Sequence, residues 1–259
     1  MPLLLLKVNR LSAVFWDVDG TLADTEMDGH RPAFNLAFQE LNLPFVWDEA
    51  LYNKLLAIPG GLRRVKLHAE ACGVALSQEQ LNQVRDRKRL HYLDRVRQGH
   101  VKLRPGVRRL LQELHRADVQ QWIVTSSGSA SVLALLEQVQ NQIPHFDGVV
   151  TSDDVPTGKP APDGYLLALQ RSGADAAASL AVEDSAAGLS AATTAGLRCL
   201  ITPSPWDAEA LLDAGEEAAA VLDHLGDPGQ PATVLSGDSC QDGTVTLKYL
   251  ENLLSVPSR

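Results

Sequence analysis

The sequence predicts an α/β fold: a mostly parallel sheet with helices on both faces, and a helical domain inserted after the first strand. Short apolar runs end in polar or acidic residues, and helix-like stretches separate the later runs. Strands that alternate with helices imply right-handed crossovers, so we expect a parallel sheet covered on both sides, as in Rossmann-like folds. The long stretch after the first strand contains no convincing strand, which indicates an insertion.

The elements of the sheet follow from these apolar runs. The first strand is expected within residues 12–19, SAVFWDVD, and further strands within residues 119–127, 146–154, 179–185, 198–204 and 218–225. Helices are expected at residues 105–117, 129–140, 162–172, 185–195 and 207–214. Residues 226–244 are rich in Gly, Asp, Pro and Ser, which predicts a loop before a short terminal helix, VTLKYLENLL.

The inserted segment begins near residue 28 and carries helical patterns such as RPAFNLAFQELNL and QEQLNQVRDRKRLHYLDRV. The alternation of strands and helices resumes after it, at LRPGVRRLL. We therefore assign residues 1–24 and 97–259 to an α/β core domain and residues 25–96 to a helical cap domain.

Composition and charge narrow the class of function. The net charge of −9 and a pI near 5.2 argue against a nucleic-acid partner, which needs a concentrated basic surface. The three cysteines, Cys72, Cys199 and Cys240, are widely spaced, which favours reduced thiols that serve as small buried apolar residues. No segment reaches the length of about 18 apolar residues that a membrane span needs. We expect a monomeric cytoplasmic protein with no membrane partner.

Two aspartates, Asp17 and Asp19, follow the first strand in the run AVFWDVDGT. A carboxylate at a strand tip can attack an electrophile such as phosphorus, so Asp17 is a candidate nucleophile. Asp19 points the same way in an extended segment, and it can give a proton to the leaving group and later take one from water. Adjacent carboxylates repel each other, and a bound divalent cation relieves this repulsion. Hard oxygen ligands together with a substrate phosphate favour Mg²⁺ as that cation. The alternative is a capped turn without chemistry.

Three further strand ends carry polar residues, and the carboxyl ends of parallel strands meet at one edge of the sheet. Thr125 and Ser126 offer a hydroxyl group and exposed N–H groups at a helix start, which suits a phosphate group. Lys159, in the proline-stiffened run GKPAPDG, can neutralise phosphoryl oxygens. Glu183 and Asp184 can complete the metal site begun by the aspartate pair.

Each of these residues has a structural alternative. Thr125 can cap a helix, Lys159 can be a solvated charge, and the acidic pair can complement a helix dipole. The four features occur together, in one order, on one predicted architecture, and this combination favours chemistry.

The four features resemble the motifs of the haloacid-dehalogenase-like (HAD) phosphatase superfamily. They are DVDGT, the Thr125 strand end, Lys159 in KPAPDGY, and VEDSAAG, in the family's order over residues 12–204. The resemblance implies a Mg²⁺-dependent phosphatase with an aspartyl-phosphate at Asp17 and a helical cap, as in phosphoglycolate phosphatase and β-phosphoglucomutase. Asp19 is the residue that excludes the dehalogenase branch. Asp184 would bind the metal with Asp17 and the Asp19 carbonyl, while the neighbouring glutamate would hold a coordinated water.

A finer resemblance is to the CbbY-type enzymes, the xylulose-1,5-bisphosphate phosphatases, in the stretches ADTEMDGHRPAFN, PGGLRRV, LRPGV and AGLRCLITPS. It implies hydrolysis of a small sugar bisphosphate, an inhibitory by-product of carbon fixation. The chain departs from the family pattern at Trp16, where Phe is usual, and at Lys159, where a run of lysines is common. It also has GGLRRV in place of GGKER, so Leu62 and Arg63 bear on substrate preference.

The cap would face the part of the substrate that does not react. Its expected substrate-binding residues are Asp24, Thr25, His30, Gly61, Arg63 and Arg64. The first three stand where the chain enters the cap and can touch sugar hydroxyl groups, although His30 has the alternative of a surface helix residue. The Gly-Gly pair and the arginines of IPGGLRRV can clamp a second phosphate. Arg64 matches the family arginine by position, and Arg63 is an extra candidate.

Two other functions remain open from the sequence. A sugar phosphomutase of the β-phosphoglucomutase type would keep the aspartyl-phosphate and return the phosphate to the other end of the sugar. A non-enzymatic binding or regulatory member of the superfamily would be expected to lose an aspartate, whereas this chain retains the motif set.

Overall fold

The computed structural model describes residues 10–58, 60–204 and 217–255, which form two compact units. The α/β unit comprises the described residues up to Ala23 and from Leu103 onward, and the helical unit runs from Asp24 to Lys102. In the part of the chain described, no helix has both the length and the apolar content that crossing a membrane requires.

The α/β unit is built on a single sheet. In chain order its strands are β1 Ala13–Trp16, β2 Gln120–Val124, β3 Gly148–Val150, β4 Ser179–Glu183, β5 Arg198–Ile201, β6 Ala220–Leu222 and β7 Val234–Ser236. Their order across the sheet is β3-β2-β1-β4-β5-β6-β7. Neighbouring strands are parallel except β6 and β7, so the predicted parallel α/β fold is confirmed. At the centre, Trp16 lies opposite Ile123 and Val182, which aligns the carboxyl ends of β1, β2 and β4.

Helices follow the strands of the α/β unit and make up the helical unit. In chain order they are α1 Arg31–Glu40, α2 Glu49–Leu56, α3 Gly61–Ala71, α4 Gln78–Arg97, α5 Val107–Arg116, α6 Ser129–Val139, α7 Asp163–Ser172, α8 Ala186–Thr194 and α9 Leu247–Ser255. A π-helical turn, Glu26–His30, leads into α1. The sequence predicted Asp24 and residues 97–102 in the core domain, whereas here they belong to the helical unit, and α4 ends at Arg97.

Helices cover both faces of the sheet. On one face α7 and α8 pack over Phe15 of β1 and Trp122 of β2, and Tyr165 of α7 joins this core. On the other face α5 packs on β2 and α9 on β4. Because both faces are covered, β1 is buried along its whole length, and the strand ends where Asp17 interrupts the apolar run AVFW. The carboxyl ends of the central strands are therefore where polar residues collect.

The helical unit has its own aromatic core. Phe34 and Phe38 of α1 pack against Trp47, whose ring centroid lies 5.0 and 4.8 Å from theirs. Helix α1 also packs along α4. Two helices of this unit begin with side-chain caps: Asp48 accepts from a backbone N–H of α2, and Ser77 forms a capping box at the start of α4.

Two features differ from the sequence prediction, and one predicted helix cannot be compared with the structure. Residues 226–244, predicted as a loop, contain β7, a three-residue edge strand in which Leu235 is exposed, so no alternating pattern marks it. Cys72, expected to be buried, is exposed just after α3, whereas Cys199 and Cys240 are buried as predicted. The helix predicted at residues 207–214 lies outside the described residues.

Candidate active site

The loop after β1 places Asp17 and Asp19 at the carboxyl edge of the sheet. Asp17 is buried, and its backbone N–H donates to the carbonyl of Val182 in β4 at 3.0 Å, which extends the parallel register by one residue. Gly20 then adopts a φ of 86°, and its N–H donates to the Ala23 carbonyl at 2.8 Å. This backbone conformation is one that glycine adopts without steric cost, which explains why glycine follows Asp19.

Lys159 lies between two of the acidic residues. Its Nζ is 2.6 Å from Oδ1 of Asp17 and 2.5 Å from Oε1 of Glu183, and it also donates to the carbonyl of Val124 at 2.9 Å. Burial by itself lowers the pKa of an ammonium group, but the charges of Asp17 and Glu183 outweigh that effect and raise the pKa of Lys159 above its ordinary value. Lys159 is therefore a cation within the acidic edge.

Asp17, Glu183 and Asp184 form an acidic cluster in which one oxygen of each lies within 4.8 Å of the others. Burial raises the pKa of Asp17 to about 7; Lys159 opposes this rise, and Glu183 and Asp19 add to it. Burial also raises the pKa of Asp184 well above its ordinary value, and the charges of Asp17 and Glu183 contribute. The single ammonium group of Lys159 does not balance these carboxylates.

The chemistry of this cluster suits a divalent cation. Its donor atoms are carboxylate oxygens, the ligands that hard cations prefer. Glu183 is fully buried, and its Oε2 has no hydrogen-bond partner among the residues that the structure describes. A cation beside Asp17, Glu183 and Asp184 would relieve the mutual repulsion that adds to the effect of burial on the pKa values of Asp17 and Asp184. The carboxylate of Asp19 is not part of this group of three, and the sequence predicted only its carbonyl as a ligand.

The end of β2 carries Thr125 and Ser126. Thr125 is buried, its N–H donates to a carbonyl of β3 at 3.0 Å, and its Oγ1 accepts from the N–H of Ser127 at 3.1 Å. Ser126 is exposed. Helix α6 begins at Ser129, whose N–H donates to the carboxylate of Asp153 at 2.9 Å. At this helix start the N–H groups of Ser127 and Ser129 already donate to neighbouring acceptors, and phosphate binding by Thr125 and Ser126 stays a prediction.

Two residues that contact the acidic groups were missed from the sequence. The Oγ of Ser127 donates to Oδ2 of Asp19. The hydroxyl of Tyr165, on α7, donates to Oε1 of Glu183 at 2.5 Å. The available signal was adjacency to a predicted residue, since Ser127 completes the run TSS and Tyr165 closes the run KPAPDGY.

In the helical unit, Asp24 and Thr25 precede the π-helical turn, and His30 is its last residue. Oδ1 of Asp24 accepts from a backbone N–H of that turn at 3.3 Å, and the buried Oγ1 of Thr25 has no hydrogen-bond partner in the described part of the chain. The His30 ring stacks on Tyr92 with centroids 4.3 Å apart, and Nδ1 lies 2.9 Å from Nζ of Lys88. Burial and the charge of Lys88 lower the pKa of His30 well below its ordinary value, so the ring is neutral and accepts from Lys88.

Helix α3 begins at Gly61 and contains both candidate arginines. Arg63 is exposed. Arg64 is 7% exposed, its Nε donates to the Leu55 carbonyl at 2.9 Å, and its Nη1 donates to the Tyr52 hydroxyl at 3.2 Å. The assignment of Arg64 to a second phosphate stays a prediction: its Nε and Nη1 are bonded inside the helical unit, and Arg63 is the more accessible of the two.

Comparison with known protein families and sequences gives consistent matches. Residues 11–196 match the profile of a family described as haloacid dehalogenase-like hydrolase. The chain is 39% identical to the plasmid protein CbbY of Cupriavidus necator, over 85% of this chain and 88% of that protein. It is 34% identical to a CBBY-like protein of Arabidopsis thaliana, over 84% of this chain and 70% of that protein.

Solved structures give a similar set. A mutant CbbY from Rhodobacter sphaeroides in complex with xylulose-(1,5)bisphosphate is 32% identical with a TM-score of 0.65, and the match covers 76% of this chain and 88% of that one. A putative β-phosphoglucomutase from Thermotoga maritima is 28% identical with a TM-score of 0.65, and this match covers 82% and 94% of the two chains.

Proposed function

This chain belongs to the haloacid dehalogenase-like hydrolases, and from that premise we propose that it is a Mg²⁺-dependent phosphatase of a small sugar bisphosphate, xylulose-1,5-bisphosphate by similarity. The single observation that carries the proposal is the arrangement of Asp17, Lys159 and Asp184. A buried carboxylate stands beside a cation and a second carboxylate at the edge of a parallel sheet, where substrates of such folds bind.

The proposed reaction has two steps. An oxygen of Asp17 attacks phosphorus, the bond from phosphorus to the sugar oxygen breaks, and Asp19 gives its proton to that oxygen. Asp19 then takes a proton from a water molecule that attacks the aspartyl-phosphate, which releases inorganic phosphate and restores the carboxylate of Asp17. Lys159 and the hydroxyl of Thr125 hold phosphoryl oxygens.

The metal requirement rests on the acidic cluster. Asp17 and Asp184 would bind the ion through carboxylate oxygens, together with the carbonyl of Asp19. Glu183 would hold a coordinated water through Oε2, while its Oε1 accepts from Tyr165. When bound, Mg²⁺ supplies positive charge that phosphoryl oxygens and carboxylates share.

For the non-reacting part of the substrate we assign residues of the helical unit. They are Asp24, Thr25, His30, Gly61, Arg63 and Arg64, as the sequence predicted. Within this set, the exposed Arg63 is the stronger candidate for a second phosphate, because the guanidinium of Arg64 is already bonded. A monomeric, cytoplasmic enzyme remains part of the proposal.

A phosphomutase is the second candidate, and it is favoured by the similarity to a putative β-phosphoglucomutase. It would use the same Asp17 and Asp19 but pass the phosphate to another sugar hydroxyl. A non-enzymatic binding protein is disfavoured, because the residues needed for both proposed steps are present and Asp17, Lys159 and Asp184 lie close together.

The test is a product analysis of the purified protein. Incubated with Mg²⁺ and a panel of sugar mono- and bisphosphates in water enriched in the heavy oxygen isotope, it should release labelled inorganic phosphate, fastest from xylulose-1,5-bisphosphate. Excess chelator should abolish release, and folded Asp17→Asn protein should be inactive. An isomerised sugar phosphate without inorganic phosphate would support the mutase instead. Turnover of no phosphate ester would refute both enzymes.

A further inference from the structure

Arg104 is a buried arginine, 8% exposed, in the run LRPGV before α5. Arginine is almost never buried unless its guanidinium is hydrogen-bonded. Here Nη1 donates to the carbonyl of Gly20 and to that of Thr202 at 2.6 Å. Nη2 donates to the carbonyls of Pro203 and Asp223, both at 2.8 Å. One side chain thus serves four backbone acceptors.

These acceptors belong to three loops at the carboxyl edge of the sheet. Gly20 lies in the loop after β1, Thr202 follows β5, and Asp223 follows β6. The backbone supports the same link, since the N–H of Arg104 donates to the carbonyl of Leu22 at 2.9 Å. Arg104 therefore cross-links segments that lie 84 to 119 residues away from it in the sequence.

Two of the linked residues adjoin the acidic groups of the site. Gly20 directly follows Asp19, and an ideal Cβ on Gly20 would lie 2.0 Å from Oδ2 of Asp184. The backbone of Gly20 is therefore the surface against which the Asp184 carboxylate rests. On the other side, the N–H of Thr202 donates to the carbonyl of Glu183 at 2.7 Å. A shift of either loop would displace carboxylate oxygens.

We propose that Arg104 is a positioning residue that sets the separation of Asp19 and Asp184 by holding Gly20 and Thr202. The inference rests on the proposed phosphatase function, because it assigns Arg104 to the geometry of that same site. Reacting groups displaced by about 1 Å can lose about 100-fold in rate, so loops that carry them need such a support.

The shape of the guanidinium, and not its charge alone, performs this task. Its two terminal nitrogens point at different acceptors, Nη1 at Gly20 and Nη2 at Asp223. Lysine keeps the charge but presents one ammonium nitrogen, which cannot occupy both positions. Arg104→Lys therefore separates the fork geometry from the charge, and Arg104→Met removes both.

Arg109→Lys is the matched control. Arg109 lies on α5 and its Nη2 donates to the carbonyls of Leu225, Gly226 and Val245 at 3.2, 3.0 and 2.7 Å. None of these three residues belongs to the acidic cluster or to the loop after β1. The control therefore removes a comparable set of bonds between an arginine and backbone carbonyls, while the bonds to Gly20 and Thr202 stay in place.

Three readouts test the proposal. In metal-free protein, hydrogen exchange of residues 17–23 should be faster in Arg104→Lys and Arg104→Met than in wild type. Calorimetry should show Mg²⁺ binding weakened by about 10-fold or more, the scale found for residues that orient ligands. With p-nitrophenyl phosphate, kcat should fall by a similar factor while KM changes little. If Arg104→Met does not fold, Arg104→Lys carries the test because it keeps the aliphatic stem and the charge.

Arg109→Lys should match wild type in all three measurements, even where it lowers the free energy of unfolding. Wild-type exchange and Mg²⁺ affinity in Arg104→Lys would overturn the proposal. Equal changes in Arg109→Lys would overturn it too, because they would show a general loss of stability. A wild-type protein that hydrolyses no phosphate ester would refute the proposed function, while exchange in the metal-free variants would still decide the role of Arg104.

Discussion

Replacement of Gly188 by alanine tests the geometry of Glu183, because two physical effects predict opposite signs. Gly188 lies within α8, where alanine is favoured over glycine by about 1 kcal/mol. However, an ideal Cβ at Gly188 would lie 1.9 Å from Oε2 of Glu183, and real Cβ contacts below 3.0 Å essentially never occur. The Glu183 carboxylate would have to move by about 1 Å.

Glu183 cannot make this movement without losing its partners. It is fully buried, and Lys159 and the Tyr165 hydroxyl each lie 2.5 Å from its Oε1. Breaking a buried ion pair costs about 3–5 kcal/mol, which exceeds the gain of about 1 kcal/mol from helix propensity. We therefore expect Gly188→Ala to lower the free energy of unfolding by about 2–4 kcal/mol.

Urea denaturation of metal-free protein measures this change, and Gly164→Ala is the control. A Cβ at Gly164 would meet Cγ1 of Val124 at 3.1 Å, a contact that a small shift relieves, so its effect should stay within about 1 kcal/mol. Calorimetry should also show weaker Mg²⁺ binding in Gly188→Ala. A Gly188→Ala protein that is more stable than wild type, with unchanged Mg²⁺ binding, would refute the described position of the Glu183 carboxylate.

Three further variants probe the charges of the site and of the helical unit. Folding raises the pKa of Asp17 from about 4 to about 7. Wild type should therefore lose stability relative to Asp17→Asn as the pH rises from about 4 to about 7. The loss is at most about 1.4 kcal/mol per pH unit. Urea curves of the metal-free proteins at several pH values measure this, and a difference independent of pH would contradict the burial of Asp17. Arg64→Ala should lower the free energy of unfolding by about 1–3 kcal/mol, because it removes the donor to Leu55 and Tyr52. Arg63→Ala should leave the free energy of unfolding unchanged. It should lower kcat/KM about 10-fold or more for a bisphosphate but not for a monophosphate. Equal losses for both substrates would exclude a role of Arg63 in selecting bisphosphates.

The central strands could be predicted because local sequence determines them. In β1 the run AVFW is buried on both faces and the aspartate that follows ends it, so an apolar run with a polar end marks the strand. The edge strand β7 has only three residues and an exposed Leu235, and it exists through its antiparallel pairing with β6. A strand that depends on a distant partner leaves no local pattern.

The candidate site also contains residues that local sequence predicts and contacts that depend on distant parts of the chain. Asp17, Lys159 and Asp184 follow from residue type at strand ends and loops, and the structure brings them together. The contacts of Arg104 could not be read from the sequence, because its acceptors are carbonyl groups, which every residue has. Arg63 and Arg64 are adjacent in sequence and about 100° apart around α3, so only the packing of that helix decides which one is buried.

The proposed function depends on covalent phosphorylation of the Asp17 carboxylate. The Asp19→Asn variant with p-nitrophenyl phosphate tests this step most directly. The leaving group of this substrate needs no proton, so the aspartyl-phosphate can still form. Loss of the general base should then slow its hydrolysis by about 10²–10⁴-fold, and the aspartyl-phosphate should accumulate. Acid quenching, borohydride reduction and peptide mass spectrometry should then find homoserine at position 17, and Asp17→Asn should give none. The proposed mechanism would be contradicted if the enzyme released p-nitrophenol and phosphate while residue 17 remained unmodified aspartate at every time point.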